Sequence, residues 1–476
     1  MLFNSIEFAI FLPIVLSIYW LIGSKKCQLQ NTWLIITSYI FYGWWDYRFL
    51  SLIVFSSFID FIVAKAINSN DKLNIKKTFL AISFITNLGL LGFFKYYDFF
   101  VENFVQAFTL FGKNLDSHNL NIILPVGISF YTFQTLSYTI DVYKGKIKAT
   151  NNPLAFAAFV SFFPQLVAGP IERATSLVPQ FTHSRKFHYP FAQDGMRQIL
   201  WGLFKKIVIA DNCAPYVNEI FENYDQYPPE TLFLGAILFT FQIYGDFSGY
   251  SDIAIGCAKL FGFKLMTNFK LPYFSRDIAE FWRRWHISLS SWFKDYLYIP
   301  LGGSRVGPFR KIFNVFAIFI VSGFWHGANW TFIVWGAINA LYFVPLMLFN
   351  LNRSNIAVVA KNSHLPNLKE TSQIILTFML CAFAWIFFRA ENVSHALFYI
   401  SAIFDVYSEK ESLYINSIHI YLIAFLIFSE WTTRTKEHAL KLENKSKLFR
   451  WLIYLGFIWV ILYFSDKEQN FIYFQF

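Results

Sequence analysis

The sequence predicts an all-α polytopic membrane protein, and three observations lead to this fold class. Of the 476 residues, 56% are hydrophobic, 21% are aromatic and only 15% are charged, whereas an ordinary soluble domain carries about 25% charged residues. Apolar stretches recur that approach the roughly 20 residues a helix needs to cross a bilayer. The lysines and arginines behind the net charge of +10 lie in short connections between these stretches, which is typical of membrane proteins and argues against a nucleic-acid ligand.

We predict about ten to thirteen transmembrane or re-entrant helices around a central polar tunnel. The first apolar stretch, 7–23, lacks a basic leader and a cleavage site, so we expect a retained span. Residues 33–64 are expected to form a hairpin, and the short stretches 33–45 and 154–169 are candidates for re-entrant or tilted elements. The other candidate spans are 78–94, 121–140, 312–325, 331–349, 373–388, 417–431 and 450–464.

Three lysine-rich connections agree on one orientation of the chain. By the positive-inside rule, residues 25–26, 65–77 and 144–148 face the cytoplasm and the N-terminus lies outside. We expect one integral-membrane domain over residues 1–476, because no turn-rich linker divides the chain. Its parts are N-terminal spans in 1–150, a core in 154–340 that holds nearly all of the unusual polar residues, and C-terminal spans in 371–476.

The sequence carries no local signal for a resident metal or nucleotide cofactor. No phosphate-binding glycine loop, dinucleotide fingerprint, calcium loop or zinc-protease motif occurs. We therefore expect no metal and no permanently bound cofactor. Four cysteines are far apart, without the paired spacing of a metal site, and we interpret them as packing thiols: Cys27, Cys213, Cys257 and Cys381.

Residues 271–305 cannot form a simple span, because their part 276–295 combines eight ionisable groups with many large aromatic rings. Each charge would cost a few kcal/mol or more at the bilayer centre. On a helix, Glu280 and Arg284 can pair at i, i+4, and we expect Arg283, Arg284 and Trp285 to line a polar cavity. The alternative, compatible with the first, is an interfacial helix anchored at headgroup depth. One face of the predicted helix carries Phe281, Trp285, Ser288 and Trp292.

Asp246 and Asp252 lie in an apolar stretch that two glycines interrupt. Carboxylates at this depth need partners, and glycines let the backbone leave helical geometry or let another helix approach closely. The two carboxylates can cap a half-helix or pair with Arg283 and Arg284. We favour such structural pairing over direct catalysis, and we count both residues as candidates for the wall of the tunnel.

Residues 161–173, SFFPQLVAGPIER, contain two prolines and a glycine before Glu172 and Arg173. A broken segment is tolerated at membrane depth only where it is buried in protein or lines water. The sequence therefore favours a re-entrant loop at the rim of a tunnel, with a kinked span as the alternative.

The segment 320–331, IVSGFWHGANWT, places His326 at the end of an apolar run. A neutral imidazole can take and return a proton near physiological pH, and ionisable residues at membrane depth mark functional paths by default. We interpret His326 as a catalytic base that is reached from an aqueous tunnel and walled by Trp325 and Trp330, with Asn329 offering an amide. The alternative is a histidine that only makes an interhelical hydrogen bond.

Six segments together resemble the membrane-bound O-acyltransferase (MBOAT) family, in its bacterial branch that serves alginate O-acetylation, peptidoglycan O-acetylation and teichoic-acid D-alanylation. FWRRWHISLSSWFKDYLYIPLGGSR (281–305) and FWHGANWTFIVWG (324–336) are similar to the two signature regions. Supporting matches make the resemblance extend over nearly the whole chain: residues 124–145, 159–173, 242–256 and 471–476.

This resemblance implies acyl transfer from a cytoplasmic thioester, through a membrane tunnel, to a hydroxyl acceptor. It implies that His326 is the catalytic histidine and that His286 is the second signature histidine, nearer the cytoplasm. Asn329 or Trp325 would then donate to the developing oxyanion. The expected donor is acetyl-CoA or an acyl carrier thioester, and the expected location is the bacterial inner membrane.

The length and the terminal segment are more similar to the alginate type, so we expect O-acetylation of an exported polysaccharide. A periplasmic or membrane-tethered acetyltransferase is the expected partner. Acetylation of peptidoglycan and D-alanylation of teichoic acid stay open as alternatives. A proton-coupled transporter or flippase is the alternative from another class, although no second half mirrors the unusual central segments. A purely structural protein would leave the histidine-bearing centre unexplained.

Overall fold

The computed structural model describes residues 1–110, 120, 122–167, 169–405, 410–443, 445–465, 469, 471 and 472. Within these residues every regular element is helical and no strand occurs, which confirms the predicted fold class. The chain divides into two compact units, Met1–Gly195 with Cys257–Met266 and Met196–Gly256 with Thr267–Phe476. The candidate site lies entirely in the second unit, and the expected three-part organisation of one domain stays a prediction.

The first unit contains the N-terminal helices. Ser5 and Asn152 begin two of them, because their side-chain oxygens accept hydrogen bonds from the N–H groups of Phe8 and Ala155. A π-helical turn, Gly92–Tyr96, joins the fourth and fifth helices. The helices are α1 (Ile6–Ile22), α2 (Cys27–Asp46), α3 (Leu50–Ser69), α4 (Leu73–Leu91), α5 (Tyr97–Leu110), α6 (Ile128–Tyr143), α7 (Pro153–Ser161), α8 (Phe163–Leu166) and α9 (Ala174–Thr182).

The remaining helices form the second unit, although the first and third of them also contribute residues to the first unit. Asp277, Asn329 and Asn367 are N-caps whose side chains accept backbone hydrogen bonds. The helices are α10 (Tyr189–Leu203), α11 (Asp211–Glu222), α12 (Pro229–Leu260), α13 (Ile278–Arg284), α14 (Ile287–Phe293), α15 (Pro308–His326), α16 (Trp330–Leu348), α17 (Leu368–Arg389), α18 (Val393–Ile403), α19 (Ser417–Thr432) and α20 (Lys447–Tyr463).

Among the described residues, six helical segments are long and apolar enough to cross a membrane, and three shorter apolar helices accompany them. The protein is therefore polytopic, as predicted. All eight candidate spans of the sequence correspond to helices, and the predicted hairpin of 33–64 corresponds to α2 and α3, joined by the 3-10 turn Tyr47–Phe49. The six segments are Cys27–Ser69, Leu73–Thr109, Pro229–Leu260, Pro308–His326, Trp330–Leu348 and Leu368–Arg389.

The 32-residue helix α12 was not among the candidate spans, because acidic residues interrupt its apolar sequence. The backbone nevertheless stays helical through Gly245 and Gly249, so the expected departure from helical geometry is wrong at this point. The glycines instead permit close approach: a Cβ at Gly249 would lie 2.7 Å from the carbonyl oxygen of Gly202, which is in α10. This close crossing agrees with the prediction that the glycines let another helix approach closely.

Residues 161–173 form a broken segment, as predicted. After α7 comes a single helical turn, α8, and the described residues 169–173 then form an irregular connection to α9. Because no helix here reaches the length of a span, the kinked span is wrong, while the tunnel rim stays a prediction.

Glu172 is buried and accepts a hydrogen bond from the N–H of Met266. Burial raises the pKa of Glu172 to about 7, although this hydrogen bond and Arg173 act in the opposite direction.

A buried carboxylate links three helices of the first unit. Asp60 of α3 accepts hydrogen bonds from Oγ of Ser83 at 2.5 Å and Nδ2 of Asn87 at 2.8 Å, both in α4. Oδ1 of Asn87 in turn accepts from Ser56 of α3 and Thr135 of α6. Polar groups in helices that cross a bilayer need such internal partners, so this network fixes the positions of the three helices.

We predict that Asp60→Leu destabilises the protein more than Asp60→Asn. Leucine removes the carboxylate that accepts from Ser83 and Asn87, and each lost hydrogen bond costs about 0.5–1.5 kcal/mol, whereas asparagine keeps one amide oxygen. Thermal unfolding of the detergent-purified protein measures the difference. Asp71→Leu, in an exposed connection, is the control and should unfold near the wild-type temperature. Equal unfolding temperatures for Asp60→Leu and this control would contradict the role of the network.

Candidate active site

The two histidines singled out by the sequence lie side by side. The ring centroids of His286 and His326 are 6.4 Å apart, although 40 positions separate them in the chain. Their exposed fractions are 1% and 3%. The indole of Trp325 contacts both imidazoles, with centroid distances of 6.2 Å to His286 and 5.0 Å to His326. The fold therefore gathers two buried, proton-accepting groups at one place.

Aromatic rings surround this pair. The ring of Trp335 lies perpendicular to His326 at 5.3 Å, and Phe388 contacts His326 at the same distance. Trp385 stacks on Trp335 and contacts Trp285. We name this group of packed rings the aromatic chamber; its members are Trp285, Trp325, Trp335, Trp385, Phe388 and the two histidines.

One predicted wall of the site is wrong. Trp330 is 53% exposed and begins α16, whereas Trp335, one turn further along that helix, packs against His326. Sequence proximity favoured Trp330, but helical geometry turns positions 330 and 335 to different sides. Close packing of α15 against α16 supports the arrangement, since a Cβ at Gly323 would lie 2.1 Å from the carbonyl oxygen of Phe332.

Asn268 orients the imidazole of His286. Its amide oxygen lies 3.1 Å from Nδ1 of His286 and also accepts from Oγ of Ser288 at 2.9 Å. The amide nitrogen of Asn268 donates to Oγ of Ser251 at 3.0 Å. Since an amide oxygen only accepts, Nδ1 of His286 carries the hydrogen and Nε2 carries the lone pair. Nε2 is buried and has no hydrogen-bond partner among the described residues.

The predicted continuous helix through 281–292 is wrong. α13 ends at Arg284, Trp285 is extended, and His286 takes the left-handed conformation with φ at 43°. Two backbone hydrogen bonds replace the helical ones: the N–H of Lys270 donates to Arg284, and the N–H of Ile287 donates to Asn268. A non-glycine residue in this conformation costs about 1–3 kcal/mol and persists only where its surroundings determine it. The break directs the imidazole into the aromatic chamber.

The arginines of this region have partners within the protein. Arg284 pairs with Glu280 at 2.7 Å, as the i, i+4 spacing predicts, and Arg276 pairs with the same carboxylate at 3.0 Å. Arg283 donates to the backbone carbonyls of Asn352 and Asn355. Burial lowers the pKa of Arg283, and Asp277 acts against this effect. These contacts fasten α13 to the loop after α16, and a role of Arg283 and Arg284 in lining a tunnel stays a prediction.

Asp246 and Asp252 pair with lysines, so the predicted pairing with Arg283 and Arg284 is wrong. Nζ of Lys206 lies 2.8 Å from Asp246 and 2.7 Å from Asp211. Nζ of Lys205 lies 2.5 Å from Asp252 and also donates to Ser248. The two lysines lie in a π-helical turn, Phe204–Ala210, after α10. Adjacent lysines within the apolar stretch LFKKIVIA were the signal that the sequence offered and that we did not use.

Asn329 has a structural role in the described residues. Its side-chain oxygen accepts from the N–H of Thr331 and begins α16, while its amide nitrogen donates to the carbonyl of Glu391 at 2.7 Å. These two bonds join the start of α16 to the loop after α17. Its predicted donation to an oxyanion stays a prediction.

The last described residues contact the lysine–aspartate pairs. Nζ of Lys206 donates to the carbonyl of Gln469 at 3.1 Å, and the N–H of Ile472 donates to Asp246 at 2.6 Å. The ring of Phe471 packs on Phe247, which in turn contacts His286 at 4.6 Å. Four residues of the terminal segment FIYFQF, 473–476, lie outside the described residues.

The range 146–388, which contains both histidines, matches the membrane-bound O-acyltransferase (MBOAT) family. This chain belongs to that family. The MBOAT chain is 39% identical over 400 residues to the probable alginate O-acetylase AlgI of Pseudomonas aeruginosa, covering 83% of this chain and 73% of the relative. It is 36% identical over 426 residues to the peptidoglycan O-acetyltransferase of Helicobacter pylori, covering 83% and 78%.

A more distant MBOAT relative is the teichoic acid D-alanyltransferase of Bacillus subtilis, 26% identical over 290 residues, which are 58% of this chain and 71% of the relative. The family and the names of these relatives show that the chain is an enzyme, an O-acyltransferase. They argue against the two alternatives from the sequence, a transporter and a purely structural protein. The chain is thus a multi-pass membrane O-acyltransferase.

We predict that Lys206→Met strongly destabilises the second unit. The substitution leaves Asp211 and Asp246 buried without their cation, and breaking a buried ion pair costs about 3–5 kcal/mol. Lys294→Met is the matched control, because the side chain of Lys294 is 61% exposed and lies 3.7 Å from Asp295, where an exposed pair contributes about 0–1 kcal/mol. Unfolding of both variants by heat in detergent measures the effect, and similar unfolding temperatures would contradict it.

A second prediction concerns the proton on His286. We expect a neutral ring with hydrogen on Nδ1, because Nδ1 faces the oxygen of Asn268. Nitrogen-15 NMR of histidine-labelled protein distinguishes this tautomer from the Nε2–H form. His286→Asn, which tolerates a left-handed backbone, removes and thereby assigns the signal. A signal from an Nε2–H tautomer would contradict the orientation by Asn268.

Proposed function

We propose that this MBOAT enzyme transfers acetyl groups from a cytoplasmic thioester to hydroxyl groups of an exported, alginate-like polysaccharide. The single observation that carries the chemistry is the pairing of His286 and His326, 6.4 Å apart, inside the aromatic chamber. The acceptor class is supported by the alginate O-acetylase relatives, at 37–39% identity over 83–91% of this chain.

His326 is the catalytic base in this proposal. An acceptor hydroxyl attacks the carbonyl carbon of the thioester, and its proton passes to His326 as the carbon–oxygen bond forms. The carbon–sulfur bond then breaks, and His326 returns the proton to the leaving thiolate. The enclosed, aromatic surroundings strengthen the polar interactions of the reacting groups because little water competes.

His286 acts as a second acceptor in the same chamber. With hydrogen on Nδ1, its Nε2 can accept a proton or a hydrogen bond but cannot donate one to a developing oxyanion. The donor to the oxyanion must then come from another group, and Trp325, which contacts both imidazoles, is the candidate. His286 accordingly accepts a hydrogen bond from a hydroxyl of the acceptor and positions it next to His326, since the thioester itself carries no S–H group.

The proposal includes the donor, the location and the partner. We propose acetyl-CoA, or an acyl carrier thioester, as donor from the cytoplasm, and the bacterial inner membrane as the location. A periplasmic or membrane-tethered acetyltransferase would complete transfer to the polysaccharide. Because a peptidoglycan O-acetyltransferase is 36% identical over 83% of this chain, peptidoglycan is the second candidate acceptor, ahead of teichoic acid, for which the D-alanyltransferase matches cover 45–58% of the chain.

We predict that His326→Ala abolishes acetyl transfer while the protein still accumulates in the membrane. His419→Ala is the matched control, because His419 is also buried in the second unit but contacts Tyr216 and Phe464 instead of the aromatic chamber. Acetyl content of the purified cell-surface polysaccharides from complemented deletion strains measures transfer. Undiminished acetylation in the His326→Ala strain would remove this residue from the mechanism.

The same strains identify the acceptor. Alginate-like exopolysaccharide, peptidoglycan and teichoic acid are isolated separately, and ester-linked acetate or D-alanine is released by mild base and quantified. Loss of acetate from the exopolysaccharide alone is the expected result. Loss from peptidoglycan alone, or loss of D-alanine, would overturn the proposed acceptor while leaving the acyltransferase activity in place.

A further inference from the structure

A cavity of about 650 Å³ lies in the second unit, away from the aromatic chamber. It is bounded by the end of α16, the start of α17, the start of α13 and the loop after α16, and its volume is within the roughly 300–1,000 Å³ typical of ligand sites. Its walls are apolar and its rim is polar. The apolar lining consists of Ile278, Tyr342, Pro345, Leu346, Leu351, Leu376 and Leu380.

The cavity opens toward the part of the surface that faces lipid. Two lining residues, Leu376 and Leu351, are 61% and 50% exposed, whereas Thr377 at the inner wall is buried. Because α17 is long and apolar enough to cross the membrane, the exposed Leu376 on this helix contacts hydrocarbon, while Leu351 lies in the chain just after α16. The cavity is therefore accessible from the side, within the plane of the bilayer.

The polar rim lies at the cytoplasmic end of these helices. At this end α15 and α17 begin and α16 ends. The positive-inside rule assigns connections rich in basic residues to the cytoplasm. The basic residues in or next to the connections at this end are Arg305, Arg310, Lys311, Arg353, Lys361 and Lys369. From Lys369 to Leu380 the wall formed by α17 is about 16 Å long, at 1.5 Å per residue. That length is about half of the 30 Å hydrocarbon core, so the cavity spans one leaflet.

The rim offers two cations and two carboxylates. Arg276 pairs with Glu370 at 3.1 Å, and Asp277 accepts a hydrogen bond from Asn355 at 2.7 Å. Each carboxylate has further acceptor sites. The side chain of Lys369 is exposed, and it makes no hydrogen bond or ion pair with the described residues. Its ammonium is therefore available to a ligand.

We propose that this cavity binds a phospholipid of the inner leaflet with a zwitterionic headgroup, such as phosphatidylethanolamine. One acyl chain lies between α16 and α17 against the leucines, while the phosphate contacts Lys369 and the ammonium contacts Asp277 and Glu370. The net charge of the rim is zero, which matches a headgroup that carries one charge of each sign. A polyanionic nucleotide such as coenzyme A would meet the carboxylates of Asp277 and Glu370, so the observations favour the lipid over the acyl donor.

Photolabelling of the full-length protein tests this proposal. The probe is phosphatidylethanolamine with a diazirine in its acyl chain, incorporated into nanodiscs with the purified protein, and mass spectrometry locates the label. Leu376→Trp fills the mouth of the cavity. Ile375→Trp is the matched control, because Ile375 is 57% exposed on the same helix but does not line the cavity. Lys369→Glu reverses one charge of the rim without filling the space.

We expect the wild type and Ile375→Trp to carry the label on the lining residues of α17. Leu376→Trp and Lys369→Glu should lose it, and unlabelled phosphatidylethanolamine should compete better than phosphatidylglycerol. Equal labelling of Leu376→Trp and Ile375→Trp would overturn the site. Equal competition by phosphatidylglycerol would overturn the zwitterionic headgroup, and displacement of the probe by acetyl-CoA would assign the cavity to the acyl donor. Circular dichroism of each variant confirms that the helices are retained.

Discussion

The requirement that ionisable groups at membrane depth find partners inside the protein is the constraint on which the rest of the structure depends. Water is not available in hydrocarbon to satisfy them. In the second unit, Lys205 and Lys206 meet Asp252, Asp246 and Asp211, and close glycine contacts permit this approach. The charged groups thereby hold α12 against the turn after α10. Phe247 of α12 in turn contacts His286, so the paired charges support the site.

The candidate site exists because the backbone is interrupted where the sequence suggests continuity. A helix from Ile278 to Phe293 would have placed position 286 on a regular face. Hydrogen bonds to Asn268 instead hold the backbone of Ile287 and the ring of His286. The chain changes direction at His286, which has the left-handed conformation. His326, by contrast, ends a regular helix. One histidine is thus placed by a break and the other by the end of a span, and both contact the indole of Trp325.

The sequence predicted the fold class, the main spans and the two histidines, since these depend on composition, length and local motif. It did not predict α12 as a span, because acidic residues interrupt its apolar sequence. The lysines in LFKKIVIA indicated that buried cations need partners, but the sequence does not show which distant carboxylates they meet. Trp335 was missed in favour of Trp330 for a related reason: adjacency in sequence is a poor guide to adjacency around a helix. Asn268, which has no motif of its own, becomes recognisable only through the groups that its oxygen accepts from.

The burial of His326 bears on how much acyl donor would be lost to hydrolysis. Thioesters react with hydroxide as well as with alcohols, so an activated acyl group held beside a base in open solvent would be lost to hydrolysis. Because Trp335 and Phe388 pack on the imidazole of His326, bulk solvent has little access to the ring nitrogens of this histidine. In the proposed mechanism, this packing would restrict the entry of an acceptor and would also limit hydrolysis of the donor when no acceptor is present.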